Sequence, residues 1–190
     1  MALQVFRAKG ARWVGALAVA VLVPVVAANQ CTSTAPATEV RRGSTAHRTV
    51  ALTFDAGSDR GYTTKILDTL KAQRIRAAFG MTGTWAKANP DLLKRIYAEG
   101  HLVLDHTYDH KSFTGVSTGS AALTASQRKA ELAKAEDVVS GIAGKAMKPW
   151  FRPPYGDTDA SVLRDVGRIG YRYSIMWTVD SLGWKGLSAS

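Results

Sequence analysis

From Arg48 onward, short apolar runs alternate with amphipathic stretches, and this alternation limits the possible fold more than any other feature of the chain. The runs Thr49–Phe54 and Arg76–Met81 have the length of strands, and the segment Arg60–Gln73 between them has apolar residues at helical spacing. Strands that alternate with helices in this way are typical of βα units around a largely parallel sheet or barrel. The sequence therefore predicts an α/β fold.

The same alternation continues through the rest of the chain. The carboxyl ends of parallel strands share one edge of a sheet, where α/β folds place their active sites, so polar residues that follow the strands are expected to lie together. In chain order, the pattern predicts a helix over Pro90–Glu99, a strand over His101–Asp105, a loop over residues 106–124, a helix over Ser126–Ile142, a short strand over Pro149–Pro153, a helix over Asp159–Ile169 and a strand over Tyr171–Val179.

The first 28 residues have the composition of a secretory signal. Basic residues without any acidic residue precede an apolar run from Trp13 to Ala28, and small residues near its end suit cleavage by a signal peptidase. A membrane anchor is the alternative, although Pro24 interrupts the run, which is shorter than the roughly 20 apolar residues that a spanning helix needs. Residues 1–28 are predicted to be a signal peptide or weak membrane anchor, and the remainder to be exported: secreted or attached to the outer face of the cytoplasmic membrane.

Residues 29–47 are rich in Ser, Thr, Ala and Pro, which predicts a flexible linker before a folded domain over residues 48–190. Cys31 is the single cysteine, so no internal disulfide can form. A lipid anchor on Cys31 is disfavoured because Gln30 stands where such a signal needs a small residue. The domain is therefore expected to depend on its core or on a metal.

The formal net charge is +10, and the chain stays basic when the cations before Trp13 are removed. An exported basic domain is attracted to polyanions such as wall polymers, lipid headgroups or acidic glycans. Nucleic acid is not expected as a partner, because the Lys and Arg residues are spread along the chain without interleaved aromatic residues.

His106 and His110 are four residues apart and directly follow the apolar run Leu102–Leu104. On a helical turn this spacing would place both side chains on one face, about 6 Å apart along the axis, where two imidazoles can bind one metal ion. The alternative is that two histidines lie close by chance or cap a turn. The pair predicts a metal site at the edge of the sheet.

Three further motifs stand at the ends of predicted strands. They are Thr53-Phe54-Asp55-Ala56-Gly57, Phe151-Arg152-Pro153-Pro154-Tyr155 and Thr178-Val179-Asp180-Ser181-Leu182-Gly183-Trp184. Together with the histidine pair, and in the same order along the chain, they resemble the polysaccharide deacetylase (NodB-homology, carbohydrate esterase 4) family from about Thr49 to Trp184. The resemblance implies an incomplete, distorted (β/α) barrel that hydrolyses N-acetyl groups, a non-peptide C–N bond, on a cell-wall polysaccharide, with peptidoglycan favoured over chitin.

The resemblance also implies a role for each matching residue. Asp55 matches the general base, His106 and His110 match the ligands of a divalent metal such as zinc, and Arg152 matches an arginine that supports the base. Metal ions of this kind polarise a carbonyl and activate water, which amide hydrolysis requires.

Three other positions match residues around the substrate. The resemblance implies that Tyr155 lines the cleft and helps to hold the oxyanion through its backbone amide. It also implies that Asp180 orients Arg152 and that Trp184 forms a wall of the acetyl pocket.

Two departures from the family pattern weaken this prediction. Ala56 replaces an aspartate ligand, so metal should bind weakly unless Asp59, Asp109 or water substitutes for it. No Leu-x-His motif follows Trp184, and a positioned general acid is typically worth about 10² to 10⁴ in rate. The sequence leaves two alternatives open: a truncated, inert remnant that at most binds glycan, with open sheet edges, and a related hydrolase of linear or cyclic amides.

Overall fold

Six short strands form one parallel sheet in the computed structural model of the chain, which describes residues 35–46, 48–56 and 59–185. The order across the sheet is β1-β6-β5-β4-β3-β2, and every adjacent pair is parallel. The predicted signal segment and Cys31 lie outside the described residues. The strands are β1 (Thr38–Val40), β2 (Thr53–Asp55), β3 (Ala78–Met81), β4 (Leu102–Asp105), β5 (Trp150–Phe151) and β6 (Tyr173–Ile175).

Helices connect successive strands from β2 to β6, as the alternating pattern predicts. The longest begins with a capping box, in which the Thr124 side chain and Gln127 satisfy each other's backbone amides, and ends at Gly144 in the left-handed conformation that favours glycine. The α-helices are α1 (Thr63–Ala72), α2 (Gly83–Ala88), α3 (Pro90–Ala98), α4 (Ala125–Ala143) and α5 (Ala160–Arg168), and short 3-10 turns lie at Pro154–Gly156 and Gly183–Lys185.

Two apolar clusters hold these elements together. The larger lies around Phe79 and Leu93, where β3 and β4 meet α1 to α4, and the smaller lies around Phe151 and Val166, where β5 meets α5. The predicted α/β fold with a largely parallel sheet is confirmed. Among the described residues, none of the helices has both the length and the apolar character that crossing a membrane would require.

The structure corrects the predicted linker. Thr38–Val40 forms β1 and pairs with Tyr173–Ile175, and Ala37 beside it is only 4% exposed. The flexible-linker prediction is therefore wrong for this part of residues 29–47. Its composition gave no strand signal, because the pairing partner lies more than 130 residues further along the chain.

Several predicted bounds also change. The first predicted strand shrinks to β2 and the last shrinks to β6, because only these residues of the two predicted strands are in paired register with a neighbouring strand. Helix α2 was not predicted; it begins at Thr82, whose side chain accepts a hydrogen bond from the Trp85 backbone amide.

The sheet order brings the predicted motifs to one edge. Asp55 at the end of β2 is in register with Gly80 of β3, and Met81 of β3 is in register with Asp105 at the end of β4. Asp105 is in register with Phe151 of β5. The residues that follow β2, β4 and β5 are therefore neighbours in space.

Candidate active site

The histidine pair lies in a loop that leaves β4. His106 is buried at 2% exposure, His110 is half-buried, and their rings meet edge to face with centroids 4.7 Å apart. The intervening backbone is not helical, because Thr107 and His110 have φ angles of 68° and 65°. The helical-turn geometry is therefore wrong, whereas the interpretation of residues 106–124 as a loop carrying both histidines agrees with the structure.

Hydrogen bonds within the loop and from the start of α2 fix the left-handed residues of this loop. The Thr107 hydroxyl oxygen accepts a hydrogen bond from the His110 amide at 3.0 Å. The Gly83 and Thr84 amides at the start of α2 donate to the carbonyls of Thr107 and Tyr108 at 3.0 and 2.9 Å. A left-handed conformation costs a non-glycine residue about 1 to 3 kcal/mol. The hydrogen bonds offset this strain in Thr107 and His110, whose left-handed backbone brings the two histidine rings close together.

Arg152, which directly follows β5, holds Asp55 from below. The guanidinium is 2% exposed, and its Nη1 donates to the Asp55 carboxylate at 2.9 Å and to the Thr53 hydroxyl at 3.0 Å. Its Nε donates to the Ile175 carbonyl at 3.0 Å, and its Nη2 lies 3.4 Å from the Met176 carbonyl oxygen. Asp55 is thereby fixed in one orientation, with about a third of its side chain open to solvent.

Asp180 does not orient Arg152, contrary to the role that the resemblance implies. Its carboxylate accepts hydrogen bonds from the Leu182 amide at 2.8 Å and from the Trp184 indole at 3.3 Å. Backbone carbonyls of Ile175 and Met176 take the place that was expected for this carboxylate. The physical reason is that the Asp180 carboxylate is engaged by groups of its own turn.

Trp184 is 75% exposed, and its described contacts are with Asp180 and Lys185. It is absent from the described residues that line the groove beside His110. A wall of an acetyl pocket formed by Trp184 stays a prediction.

Gly80 provides the space that the site needs. A Cβ atom at this position would overlap the Asp55 carboxylate and would lie 3.5 Å from the His106 ring. Gly80 was not predicted to belong to the site, although a glycine inside a strand is a known sign of close approach by another group. The same observation shows that Asp55 and His106 flank one small space.

Trp177, two residues beyond the end of β6, packs against the same site. Its ring lies 5.6 Å from the Arg152 guanidinium carbon, and a Cβ atom on Gly156 would approach the indole to 3.0 Å. Trp177 therefore supports both Arg152 and the turn that carries Tyr155.

Tyr155 stands at the mouth of this space. It has a φ of 60°, it is 50% exposed, and its ring centroid is 4.6 Å from that of His110. Strained residues of this kind cluster at ligand-binding sites. Beside His110 and Tyr155 lies an open groove of about 430 Å³, whose other side carries Ser112, Thr118 and Ser120.

The two imidazoles fit a metal through their nitrogen atoms. The Nδ1 of His106 donates to the Arg152 carbonyl oxygen at 2.9 Å, which leaves the Nε2 lone pair free, as in many metal-ligating histidines. Burial lowers the pKa of His106, and burial together with the neighbouring His106 lowers the pKa of His110 to about 4, so both rings are neutral at pH 7.

A third protein ligand is not found. In the described ranges, no cluster of three or more His, Cys, Asp or Glu side chains has the arrangement of a metal site. Asp109, one candidate substitute for the ligand missing at Ala56, is paired with Lys111 at 2.7 Å. The donor set therefore fits a metal held by two imidazoles, with the other positions left to water or substrate.

Comparison with known proteins agrees with this geometry. The family model for polysaccharide deacetylases matches residues 42–174. The chain is 37% identical over 143 residues to the peptidoglycan-N-acetylmuramic acid deacetylase PdaA of Bacillus subtilis, covering 75% of this chain and 51% of that protein. The chain thus spans about half the length of this relative.

Two solved structures place the fold in the same group. The structure of B. subtilis PdaA, a family 4 carbohydrate esterase, superposes with a TM-score of 0.68 and 35% identity, covering 77% of this chain and 59% of that chain. BA3943 of Bacillus anthracis, a pseudoenzyme of the same family, superposes with a TM-score of 0.71 and 26% identity, covering 81% and 51%. The fold is that of the NodB-type (β/α) barrel, and the chain belongs to the polysaccharide deacetylase family.

Proposed function

We propose that this domain hydrolyses N-acetyl groups on a cell-wall glycan, with a divalent metal held by His106 and His110. The observation that carries the proposal is the convergence of three groups on one small space: the Asp55 carboxylate and His106 on either side of Gly80, and the His110 ring against His106. A carboxylate beside neutral imidazoles suits a hydrolase that activates water.

In this proposal, Asp55, Arg152 and Tyr155 have different roles in the reaction. Asp55 accepts a proton from the attacking water, because its carboxylate is reachable from solvent while Arg152 holds it in orientation. Tyr155 borders the cleft and contributes its backbone amide to the developing oxyanion.

His106 and His110 would hold the metal, and zinc suits imidazole ligands of this kind. The metal would supply Lewis acidity toward the amide carbonyl and the attacking water. Because Ala56 offers no carboxylate, we expect weaker binding than at a site with three protein ligands.

Peptidoglycan is the proposed substrate class. The Bacillus subtilis relative is named for activity on peptidoglycan, and the net charge of +10 suits an anionic wall polymer. The composition of residues 1–28 supports export, with weak membrane association through this segment as part of the same proposal.

Acetate release from peptidoglycan fragments with added zinc or cobalt tests this proposal. We expect activity in the wild-type protein and none in Asp55→Asn, which keeps the size of the side chain but removes the base. Asp91→Asn is the matched control, because it removes an exposed carboxylate on α3. Equal loss in both variants, or acetate release from small amides alone, would contradict the proposal.

Ala56 favours a second candidate, an inert domain that binds glycan, and the likeness to a family pseudoenzyme points the same way. The variant Ala56→Asp separates the two candidates, because it adds a carboxylate as the third protein ligand beside the two imidazoles. The enzyme proposal predicts that zinc binds at least about 10-fold more tightly to this variant and that wild-type activity is already measurable. Glycan binding without acetate release by the wild-type protein under any metal would support the inert candidate.

A further inference from the structure

A buried acid lies directly beneath the histidine loop. Asp105 ends β4 and is fully buried, and its carboxylate accepts hydrogen bonds from the Thr107 amide at 2.9 Å and from the Tyr171 hydroxyl. Its backbone carbonyl accepts a hydrogen bond from the Arg152 amide at 2.9 Å. Asp105 therefore contacts two segments of the site. One is the loop that carries His106, and the other carries Arg152, which bonds to Asp55. The side chain of Asp105 itself is buried and does not face the substrate cleft.

The contact with Thr107 bears on the separation of the histidines. Thr107 is the first left-handed residue of the loop, and its hydroxyl oxygen accepts the amide of His110, the second left-handed residue. The bonds thus run in series from Asp105 to the Thr107 backbone and from the Thr107 side chain to His110. A change at Asp105 is transmitted to the position of the His110 ring.

Tyr171 anchors Asp105 to the rest of the fold. It is 1% exposed, and its hydroxyl also lies 3.4 Å from the Glu136 carboxylate of α4. That carboxylate accepts the Met147 amide at 3.2 Å, just before β5. The network therefore ties the end of β4 to α4 and to the segment that precedes β6.

We propose that Asp105, anchored by Tyr171, is a positioning residue that sets the backbone of the histidine loop and so the arrangement of His106 and His110 for metal binding. The role of Asp105 in metal binding rests on the function proposed above, whereas its role in setting the loop backbone does not. Asp105 is not a catalytic residue in this proposal, because its side chain is fully buried and bonds to the Thr107 amide and the Tyr171 hydroxyl.

Two measurements on the full chain test these roles separately: cobalt affinity tests the role in metal binding, and amide hydrogen exchange tests the role in setting the loop backbone. We expect Asp105→Ala to weaken Co²⁺ binding about 10-fold or more and to speed exchange of the Thr107 and His110 amides. Asp105→Asn should restore both properties, because its amide oxygen can still accept the Thr107 N–H. A purely structural role in stability would not distinguish the loop amides from those of the sheet.

Tyr171→Phe serves where Asp105→Ala fails to fold, since the aromatic ring is kept and only the hydroxyl is lost. It should weaken Co²⁺ binding and loop protection in the same direction, while Tyr173→Phe, on β6 and outside the network, should change neither. Wild-type cobalt affinity and loop protection in Asp105→Ala, or equal losses in Asp105→Asn and Asp105→Ala, would overturn the proposal. If the wild-type protein binds no cobalt, the proposed function fails, and amide exchange alone decides the role of Asp105.

Discussion

The histidine loop, His106–His110, and the turn Asp180–Trp184 both follow strands of the sheet, but they are held by different kinds of contact. The histidine loop accepts hydrogen bonds from the first amides of α2 and donates its Thr107 amide to the Asp105 carboxylate, and the carboxylate of Glu131 on α4 accepts two more of its backbone amides. In the described contacts of the turn, the side chains of Asp180 and Ser181 bond to residues of the same turn. Arg152 resembles the loop in this respect, because its guanidinium bonds to two residues of β2 and to two consecutive carbonyls at the end of β6.

The difference shows where precise geometry comes from. A group fixed by several buried bonds from distant elements has one orientation available, which is what a catalytic or metal-binding group requires. A group that bonds only within its own exposed turn competes with water for each bond. Changes at the loop and at Arg152 should therefore cost much more than changes at the turn.

Arg152→Ala should have the largest effect. It removes bonds to Asp55, Thr53 and two backbone carbonyls in a largely buried setting, so we expect the free energy of unfolding to fall by about 2 to 4 kcal/mol. Urea denaturation measures this change, and acetate release should fall below detection. Arg60→Ala, which removes an exposed ion pair with Asp91, is the control and should leave the midpoint unchanged.

Gly80→Ala should have the next largest effect. The added methyl group would overlap the Asp55 carboxylate, so we expect the carboxylate to turn away from Arg152. Overpacking of this kind typically costs about 1 to 3 kcal/mol, and any acetate release should drop at least about 100-fold because the base is displaced. The measurements are thermal unfolding and the rate of acetate release.

Gly141→Ala is the matched control for Gly80→Ala. Gly141 lies within α4, and no atom lies within 4 Å of a Cβ built there. A helical Gly→Ala change should stabilise the protein by about 0.5 to 1 kcal/mol without a change in rate. A fall in rate equal to that of Gly80→Ala would show that the site responds to general changes rather than to the space beside Asp55.

Asp157→Asn tests the segment after β5, where Asp157 directly follows the turn Pro154–Gly156 that borders the site. Asp157 is buried, and burial alone would raise its pKa, but hydrogen bonds from Ser112 and Ser117 lower it. A lowered pKa means that the ionised carboxylate stabilises the fold above about pH 4 and that this contribution is lost as the pH falls through the folded-state value. We expect the variant to be about 1 kcal/mol less stable than wild type at pH 7.

The pH dependence of that difference is the sharper readout. The stability difference between the two proteins should shrink in urea denaturation as the pH falls below about 4, because the unfolded wild-type chain then binds a proton at Asp157 more readily than the folded protein does. A difference that stays constant between pH 7 and pH 3 would mean that shape, not charge, explains the role of Asp157.

Sequence patterns were sufficient for the elements whose signals are local. Apolar runs located β3 and β4, and apolar residues at helical spacing before a glycine located α4. They were insufficient for β1, because Thr38–Val40 becomes a strand only by pairing with β6. Helix α2 escaped for a related reason: six residues carry too little periodicity to be recognised.

The candidate site shows the same division. The motif residues Asp55, His106, His110 and Arg152 do lie together, because the parallel sheet brings strand ends to one edge. The bond from Arg152 to Asp55 was expected, but its bonds to the Ile175 and Met176 carbonyls could not be foreseen, since every residue possesses a backbone carbonyl. An acidic side chain was the natural expectation for a buried arginine, and it led to Asp180.

Asp180→Ala should have the smallest effect and separates the two accounts of Arg152. Because Asp180 is exposed and, within residues 35–46, 48–56 and 59–185, bonds only to Leu182 and Trp184, we expect a change in unfolding free energy below about 0.5 kcal/mol and acetate release within twofold of wild type. If Asp180 instead orients Arg152 when substrate is bound, the rate should fall nearly as far as in Arg152→Ala while stability stays unchanged. That pattern would mean that the turn folds onto the site during the reaction, and the contrast between the two regions would then hold only for the free protein.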